Sequence, residues 1–440
     1  MTLSGLAFAY ARRRPLATAL VVALAAIGIA IATLTLIVAH ELEGRMARDA
    51  QGIDLVVGAK DSPLQLVLAG VYHADVPPGN IPYASLAALR TNPKVASAIP
   101  LAMGDSVRGF RIVGTEPALV DRYGATLASG AMFEAPMQAV IGSDVARATG
   151  LTVGAAFAGT HGLAEGGGEH AAATYEVVGV LAPAGRVVDR LVLTPVESVW
   201  DVHDAHHREV RGDAVPGSGA NGAPHGEPRN GRAKPGNGSA TPGNAGAKEG
   251  GAGAGHAADD RELTMILVRY ASPIAAASLP REINQSSALV AASPAYETAR
   301  LFTVFGVGLD LVRAFAAILV GASVLLLFVA LAQALEERRY DLAILRALGA
   351  RRRDLVWVLM AESVSLATAG AVLGLALGHL AAATIGSWLP AAAPLAGAAW
   401  RFVPAEGVVV ALAIAGGILA ACWPAWRASR LDVAATLADS

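Results

Sequence analysis

The sequence predicts an α-helical membrane protein with four transmembrane helices and a mixed α/β extracytoplasmic domain inserted between the first and second helices. Three observations lead to this fold class. Four apolar runs are each long enough to cross a bilayer, which takes about 20 residues. Arginine is concentrated in the segments that flank these runs on one side. Residues 40–309, between the first two runs, alternate short strand and helix patterns typical of a folded soluble domain.

The first predicted span covers residues 16–39, which contain no charged residue and follow the basic triplet at 12–14. A signal peptide would have an apolar region about half as long, ending at small residues, so we interpret this span as an uncleaved anchor. The composition agrees, since 54% of the residues are hydrophobic and 16% are charged. The other predicted spans are residues 310–335, 356–389 and 407–426.

The flanking arginines predict the orientation of these spans. Six arginines lie in the 336–355 loop, whereas the 390–406 loop contains only Arg401. By the positive-inside rule, both termini and the 336–355 loop are cytoplasmic and residues 40–309 are outside. The predicted organisation adds a cytoplasmic N-terminal segment (1–15), an outer loop (390–406) and a cytoplasmic tail (427–440).

The inserted domain is predicted as a compact mixed sheet. Cys422 is the only cysteine, so an intramolecular disulfide is excluded and the domain depends on its own core. Residues 208–260 are rich in Gly, Ala, Pro and Asn with almost no large apolar side chain, which predicts a disordered insertion. Strands are predicted near residues 52–58, 108–113, 175–181 and 263–270, and helices near 83–91, 143–150 and 280–291.

The sequence lacks the common motifs of ATP hydrolysis and of proteolysis. A phosphate-binding P-loop needs a Gly-Lys pair, and none of the four lysines follows a glycine. No His-Glu-x-x-His or Gly-x-Ser-x-Gly motif is present either. We therefore expect a chain that is not an enzyme, with any ATP hydrolysis supplied by a partner.

Residues 335–350 read L-E-E-R-R-Y-D-L-A-I-L-R-A-L-G-A, and this segment closely resembles the signature of FtsX-like permeases. Asp341 stands where that family has Glu. The segment after Pro424 resembles the closing element of the same family, with Val433 in place of a proline. Residues 141–154 and 175–183 resemble the MacB-like periplasmic core domain. The resemblance to FtsX-like and MacB-like ABC transporter permeases, relatives of lipoprotein-release and macrolide-export proteins, covers most of the chain.

This resemblance implies an FtsX-like permease domain over about 310–435 and a multi-pass protein of the bacterial inner membrane. The implied function is to couple ATP hydrolysis by a separate ATPase to movement of the periplasmic domain, for export, extraction or mechanotransmission. The alternative is a non-transporting regulator that activates a periplasmic partner. The chain would bind no cofactor, because ATP and Mg belong to the ATPase. Implied partners are that ATPase, a second permease copy or paralogue in a 2+2 complex, and a periplasmic or outer-membrane protein; no nucleic acid is expected.

The cytoplasmic loop carries the strongest candidate site. In the family this segment is the coupling helix that docks on the ATPase, and apolar residues at helical spacing from Tyr340 to Leu348 predict one apolar face with a charged rim. Gly349 is suited to ending the helix. An amphipathic helix on lipid headgroups is the alternative. The predicted ATPase-coupling residues are Glu336, Glu337, Arg338, Arg339, Tyr340, Ile344, Arg346, Leu348 and Gly349.

Three further sets of residues are weaker candidates, each with a purely structural alternative. Asp310 and Arg313, three residues apart, form either an ion pair at a hinge or one that anchors a helix end. His203, His206 and His207 could bind a metal, although a solvated loop edge is favoured. Leu64, Leu66 and Leu68 line a client groove or pack into the domain core.

Overall fold

The computed structural model describes residues 15–161, 169–202, 261–337, 339–389 and 392–430. These residues separate into two compact units. The helical unit contains the described residues up to Arg48 and from Thr298 onward, and the sheet domain contains those between Asp49 and Glu297. The predicted disordered insertion, 208–260, lies outside the described residues.

Four long apolar helices of the helical unit are long and apolar enough to span a membrane, which confirms the predicted fold class. They are α1 (Pro15–Ala50), α7 (Pro294–Glu337), α9 (Arg352–Trp388) and α11 (Pro404–Ser429), with the short helices α8 (Arg339–Ala347) and α10 (Ala393–Ala398) between them.

Two of these helices extend well beyond the apolar runs that predicted them. The first run ends at Ala39, but α1 continues to Ala50 through a charged segment in which Arg45 binds Glu41 at 2.8 Å. Charged residues end a bilayer span without ending a helix, because an exposed helix tolerates i,i+4 ion pairs. Helix α7 begins at Pro294, and its 44 residues extend for about 66 Å, twice the thickness of a hydrocarbon core.

A row of glycines brings α9 close to α1. Gly370, Gly374 and Gly378 recur every four residues and so share one face of α9. A β-carbon added at any of them would lie 2.7–2.8 Å from a side-chain atom of α1. The α1 side chains that these β-carbons would meet are Ala25 for Gly370, Ile29 for Gly374 and Thr33 for Gly378. Small residues at such spacing allow helix backbones to approach closely inside a membrane, where packing replaces the hydrophobic effect.

Within the described residues, ten strands form the main sheet of the sheet domain, in the order β12-β1-β11-β3-β4-β9-β6-β8-β5, with β7 pairing with β3 and β8. The pairs β4–β9 and β6–β8 are parallel and the others are antiparallel, so the sheet is mixed as predicted. The strands are β1 (Leu55–Ala59), β2 (Ile81–Pro82), β3 (Val95–Val107), β4 (Phe110–Thr115), β5 (Leu127–Gly130), β6 (Gln138–Ile141), β7 (Ala156–His161), β8 (Glu169–Leu181), β9 (Leu191–Pro195), β10 (Glu262–Leu263), β11 (Met265–Tyr270) and β12 (Leu289–Ala292).

Large aliphatic side chains fill the sheet domain on both faces of its central strands. One cluster is centred on Leu55, Ile266 and Leu279, and a second on Ile112 and Ile141. The prediction of a helix over 280–291 is wrong at both ends, because the helix is Pro273–Ser286 and residues 289–292 form β12. The helices of this domain include α2 (Pro63–Gly70), α3 (Ala84–Arg90), α4 (Ala118–Tyr123), α5 (Ser143–Thr149) and α6 (Pro273–Ser286), with a 3-10 turn at Val187–Arg190. Residues 196–202 are also helical.

Candidate functional site

Helix α8 is a short helix held tightly between two long ones. Its last turn closes through hydrogen bonds from Leu348 N to the Ile344 carbonyl and from Gly349 N to the Arg346 carbonyl, at 2.9 and 3.0 Å. Gly349 has a φ of +102°, in the left-handed region that favours glycine. Asp354 then accepts from Arg351 N at 2.9 Å, which starts α9. The chain therefore turns between α8 and α9 within four residues, and little slack is left between them.

The two sides of α8 differ in what they contact. Leu342 and Ala343 are 5% and 0% exposed, and Leu342 packs with the core of the helical unit. Tyr340, Ile344 and Leu348, spaced four residues apart, are 48%, 37% and 79% exposed. We call these three residues the α8 stripe. The sequence placed Ala343 on the same face as the stripe, whereas the structure turns it inward.

A carboxylate joins the start of α8 to α11, the last long helix of the helical unit. The Glu336 carboxylate pairs with Arg339 at 3.0 Å and with Arg427 of α11 at 3.1 Å. The Arg427 guanidinium also lies 5.2 Å from the ring centre of Trp423. Glu336, predicted as a contact for the ATPase, thus braces the start of α8 against α11. Of the other predicted coupling residues, Glu337 is exposed and Arg346 half-buried, while Arg338 lies outside the described residues.

The structure reveals a buried acid next to His379, a companion that the sequence reasoning missed. His379 Nε2 lies 3.2 Å from an oxygen of Glu406, which is 1% exposed, and Nδ1 lies 2.8 Å from the Ala399 carbonyl. A carbonyl only accepts, so Nδ1 carries a hydrogen. Glu406 was assigned to the outer loop because it precedes the fourth apolar run by one residue.

The ion pair between Asp310 and Arg313 forms at 2.9 Å with both side chains exposed. It lies far inside α7, which begins at Pro294, so it does not anchor a helix end. Its role as a hinge stays a prediction.

The three leucines predicted to line a client groove belong to α2. Leu66 is fully buried and packs over Gly58 of β1, so it is a core residue and lines no groove. Leu64 and Leu68 are half-buried on the same short helix. The sequence could not separate these roles because an apolar run of this length fits both.

The histidine cluster at His203, His206 and His207 lies outside the described residues. Within the residues that the structure describes, no group of three or more His, Cys, Asp or Glu side chains could hold a metal ion.

Comparison with protein families gives two matches. Residues 313–433 match the FtsX-like permease C-terminal family, and residues 18–221 match the MacB-like periplasmic core domain. Among solved structures, the extracellular domain of the noncanonic ABC-type transporter YknZ from Gram-positive bacteria matches at 13% identity. That match covers 54% of this chain and 98% of the YknZ domain with a TM-score of 0.27, too low to support an argument. No curated protein matches the chain.

Proposed function

Because the chain belongs to the ABC transporter permeases that combine an FtsX-like C-terminal domain with a MacB-like periplasmic core domain, we propose that it is the membrane subunit of an ATP-driven complex. A separate ATPase docks on α8 from the cytoplasm and drives movement of the sheet domain outside. The observation that supports this proposal best is the α8 stripe, three large apolar side chains exposed on a helix that is fixed at both ends.

The α8 stripe has the properties of a docking surface. Residues four apart on a helix form one ridge, which can fill a groove on a partner. Leu348 is 79% exposed, the most exposed of the three, and lies in the turn that follows the last residue of α8. The charged residues beside the stripe, among them Glu337 and Arg339, would set the register of the bound partner.

A force on α8 has two structural routes into the helical unit. Leu342 is packed into the same core as Leu335 of α7 and Leu355 of α9. Glu336 and Arg427 connect the start of α8 to α11. Helix α7 then continues without a break to Pro294, two residues after the last strand of the sheet domain. Movement at α8 would therefore be passed along α7, which is a single helix, rather than through a flexible loop.

Helix α7 also supports a complex that contains two permease chains. Val304, Leu311, Ile318 and Leu325 follow one another at intervals of seven residues, and each is 64–73% exposed. An apolar stripe with this period is typical of a helix that packs against another helix. Val304 precedes the predicted span, where lipid is not available to cover it. A second copy or a paralogue, with one ATPase for each chain, would bury this stripe in the bacterial inner membrane.

The docking proposal is tested by co-purification of the chain with its cognate ABC-type ATPase. We expect Ile344→Asp to abolish co-purification, because a carboxylate in the centre of the α8 stripe cannot enter an apolar groove without loss of hydration. Ile274→Asp, on α6 of the sheet domain, is the matched control, since Ile274 is 81% exposed. Retention of the ATPase by Ile344→Asp, with both variants folded in the membrane, would overturn the proposal.

A further inference from the structure

The sheet domain contains an open cavity whose position is set by an irregular pair of strands. The register between β3 and β4 shifts between Met103 and Ser106, which leaves Gly104 and Asp105 without a partner on β4, although Asp105 pairs with His161 of β7. Such bulges redirect side chains and are common beside binding sites. The cavity has a volume of about 210 Å³ and is bordered by Met103, Asp105, Arg111 and the segment from Val76 to Asn80.

Among the described residues that border this cavity, Arg111 is the only arginine, and its guanidinium is buried with few partners. The residue is 6% exposed. Nη2 donates to the Asp75 carbonyl at 2.8 Å, and Nη1 makes only a weak contact with the Met103 sulfur at 3.7 Å. Nε has no hydrogen-bond acceptor among the described residues. A guanidinium offers five N–H donors, so the described residues leave most of the capacity of Arg111 unused.

A buried guanidinium without an anionic partner is energetically costly, because removal of a charge from water is repaid only by ion pairing and hydrogen bonds. Burial accordingly lowers the pKa of Arg111, and the Asp75 charge opposes that shift only in part. The Asp75 carboxylate accepts a hydrogen bond from Val76 N at 2.7 Å. An anion bound from outside would supply the interactions that Arg111 lacks.

His73, at the start of the segment that covers the cavity, does not compete for such an anion. Its two ring nitrogens are shielded from solvent and have no hydrogen-bond partner among the described residues. Burial, together with the charges of Arg111 and Arg190, lowers its pKa to about 3, so the ring is neutral near pH 7. Its backbone φ of +50° is strained for a non-glycine residue, as is often seen where a loop is held over a site.

We propose that this cavity binds a monocarboxylate, either a small free acid or the carboxyl terminus of a peptide, with the carboxylate seated on Arg111. A guanidinium presents two parallel donors that match the geometry of a carboxylate. The walls formed by Val76, Pro77 and Met103 suit a short aliphatic chain. Asp105 borders the same space, so a ligand with a second negative charge is disfavoured.

The size of the cavity limits the ligand to a few carbon atoms. Its volume is about 210 Å³. This is smaller than the cavity that a drug-sized molecule occupies. A three-carbon acid fits entirely, and a peptide can place its terminal residue inside while the rest of its chain leaves through the open side.

The proposal is tested by thermal unfolding of the full-length chain in detergent, with propionate, succinate, and a tripeptide with a free or an amidated carboxyl terminus. We expect propionate or the free tripeptide to raise the unfolding midpoint saturably. Succinate and the amidated tripeptide should bind with at most a tenth of the affinity of propionate and the free tripeptide, respectively. Stabilisation by the free tripeptide alone identifies a peptide terminus, and stabilisation by propionate identifies a small acid.

Two substitutions assign the effect to Arg111. Arg111→Met keeps the side-chain length and removes the charge, so we expect affinity to fall at least about tenfold, as for loss of a charge-assisted hydrogen bond. Arg90→Met is the matched control, because Arg90 borders another cavity of about 280 Å³ but already pairs with Glu116 at 2.7 Å. If Arg111→Met does not fold, Arg111→Lys keeps the charge without the parallel donors and should bind more weakly than the wild type.

No saturable stabilisation by any of the four ligands would overturn the proposal. Equal stabilisation of the wild type and Arg111→Met, or equal affinity for the free and amidated tripeptides, would overturn it as well.

Discussion

The contact between α9 and α1 in the helical unit and the core of the sheet domain are packed by opposite kinds of residue. Where α9 meets α1, the contact is made by Gly370, Gly374 and Gly378, and added atoms have no room. In the sheet domain the interior is filled by large side chains such as Leu66 and Ile266, which are fully buried. Helices in lipid gain from close approach, whereas a domain in water gains from burying apolar area. The α9–α1 contact should therefore be sensitive to added atoms and the core of the sheet domain to removed ones.

The largest loss of stability is expected when a core side chain is removed from the sheet domain. Leu66→Ala should lower the free energy of unfolding of this domain by about 2–5 kcal/mol, through lost burial and a residual cavity. Chemical denaturation followed by fluorescence of Trp200 would measure it. Leu64→Ala, on the same helix but half-buried, should cost less than half as much. Equal losses for the two variants would show that α2 is not docked as described.

The next largest loss of stability is expected when atoms are added at the α9–α1 contact of the helical unit. Gly374→Leu should destabilise the contact between α9 and α1 by about 3 kcal/mol, since its β-carbon would already lie 2.7 Å from Ile29 and 2.8 Å from the Ala26 carbonyl. Thermal stability in detergent provides the measurement. Gly321→Leu is the matched control, because a β-carbon there meets nothing within 4 Å. A similar decrease in both variants would contradict the comparison.

Acid should weaken the sheet domain through His73. The folded state keeps the pKa of His73 at about 3, whereas the unfolded chain binds a proton near pH 6.5. Below pH 6.5 the unfolded state therefore binds more protons, and stability is lost as pH falls toward 3, by up to about 1.4 kcal/mol per pH unit. Asparagine tolerates the positive φ of this position and carries no titrating group. His73→Asn should therefore flatten the pH dependence of the free energy of unfolding between pH 6 and 4. Parallel pH profiles for the two proteins would refute this role.

The smallest effect is expected at the exposed ion pair on α7. Asp310→Asn should change stability by no more than about 0.5 kcal/mol, because solvent screens a pair whose side chains are 71% and 45% exposed. A calorimetric midpoint close to that of the wild type checks this. A large decrease would instead indicate that Asp310 has a partner outside this chain, as a hinge would require.

The same contrast explains which features the sequence predicted. The length of the apolar runs located the four spans, because a helix needs about 20 apolar residues to cross the lipid. It could not locate the end of α1 at Ala50 or the start of α7 at Pro294, because both lie in charged or polar sequence. Short apolar runs are ambiguous between strand and helix, so β12 was taken for part of a helix. The pairing of His379 with Glu406 joins residues from two helices, and only the fold brings them together.

The sequence predicted the residue types of the candidate site better than it predicted their geometry. The spacing from Tyr340 to Leu348 indicated an amphipathic helix, and the exposed α8 stripe lies within that segment. The bracing role of Glu336 depends on Arg427, about 90 residues away in the chain, and local patterns carry no signal for such a contact.

The central claim is that an ATPase bound at α8 moves the sheet domain. It is tested most directly by spin-label distances in the assembled complex, with Cys422 replaced by serine and a nitroxide at Ile274→Cys on the exposed side of α6. We predict that ATP and Mg shift the distance distribution between the labels of the two permease chains, and that Ile344→Asp abolishes the shift. The same distribution with and without nucleotide, in a complex that hydrolyses ATP, would contradict the account.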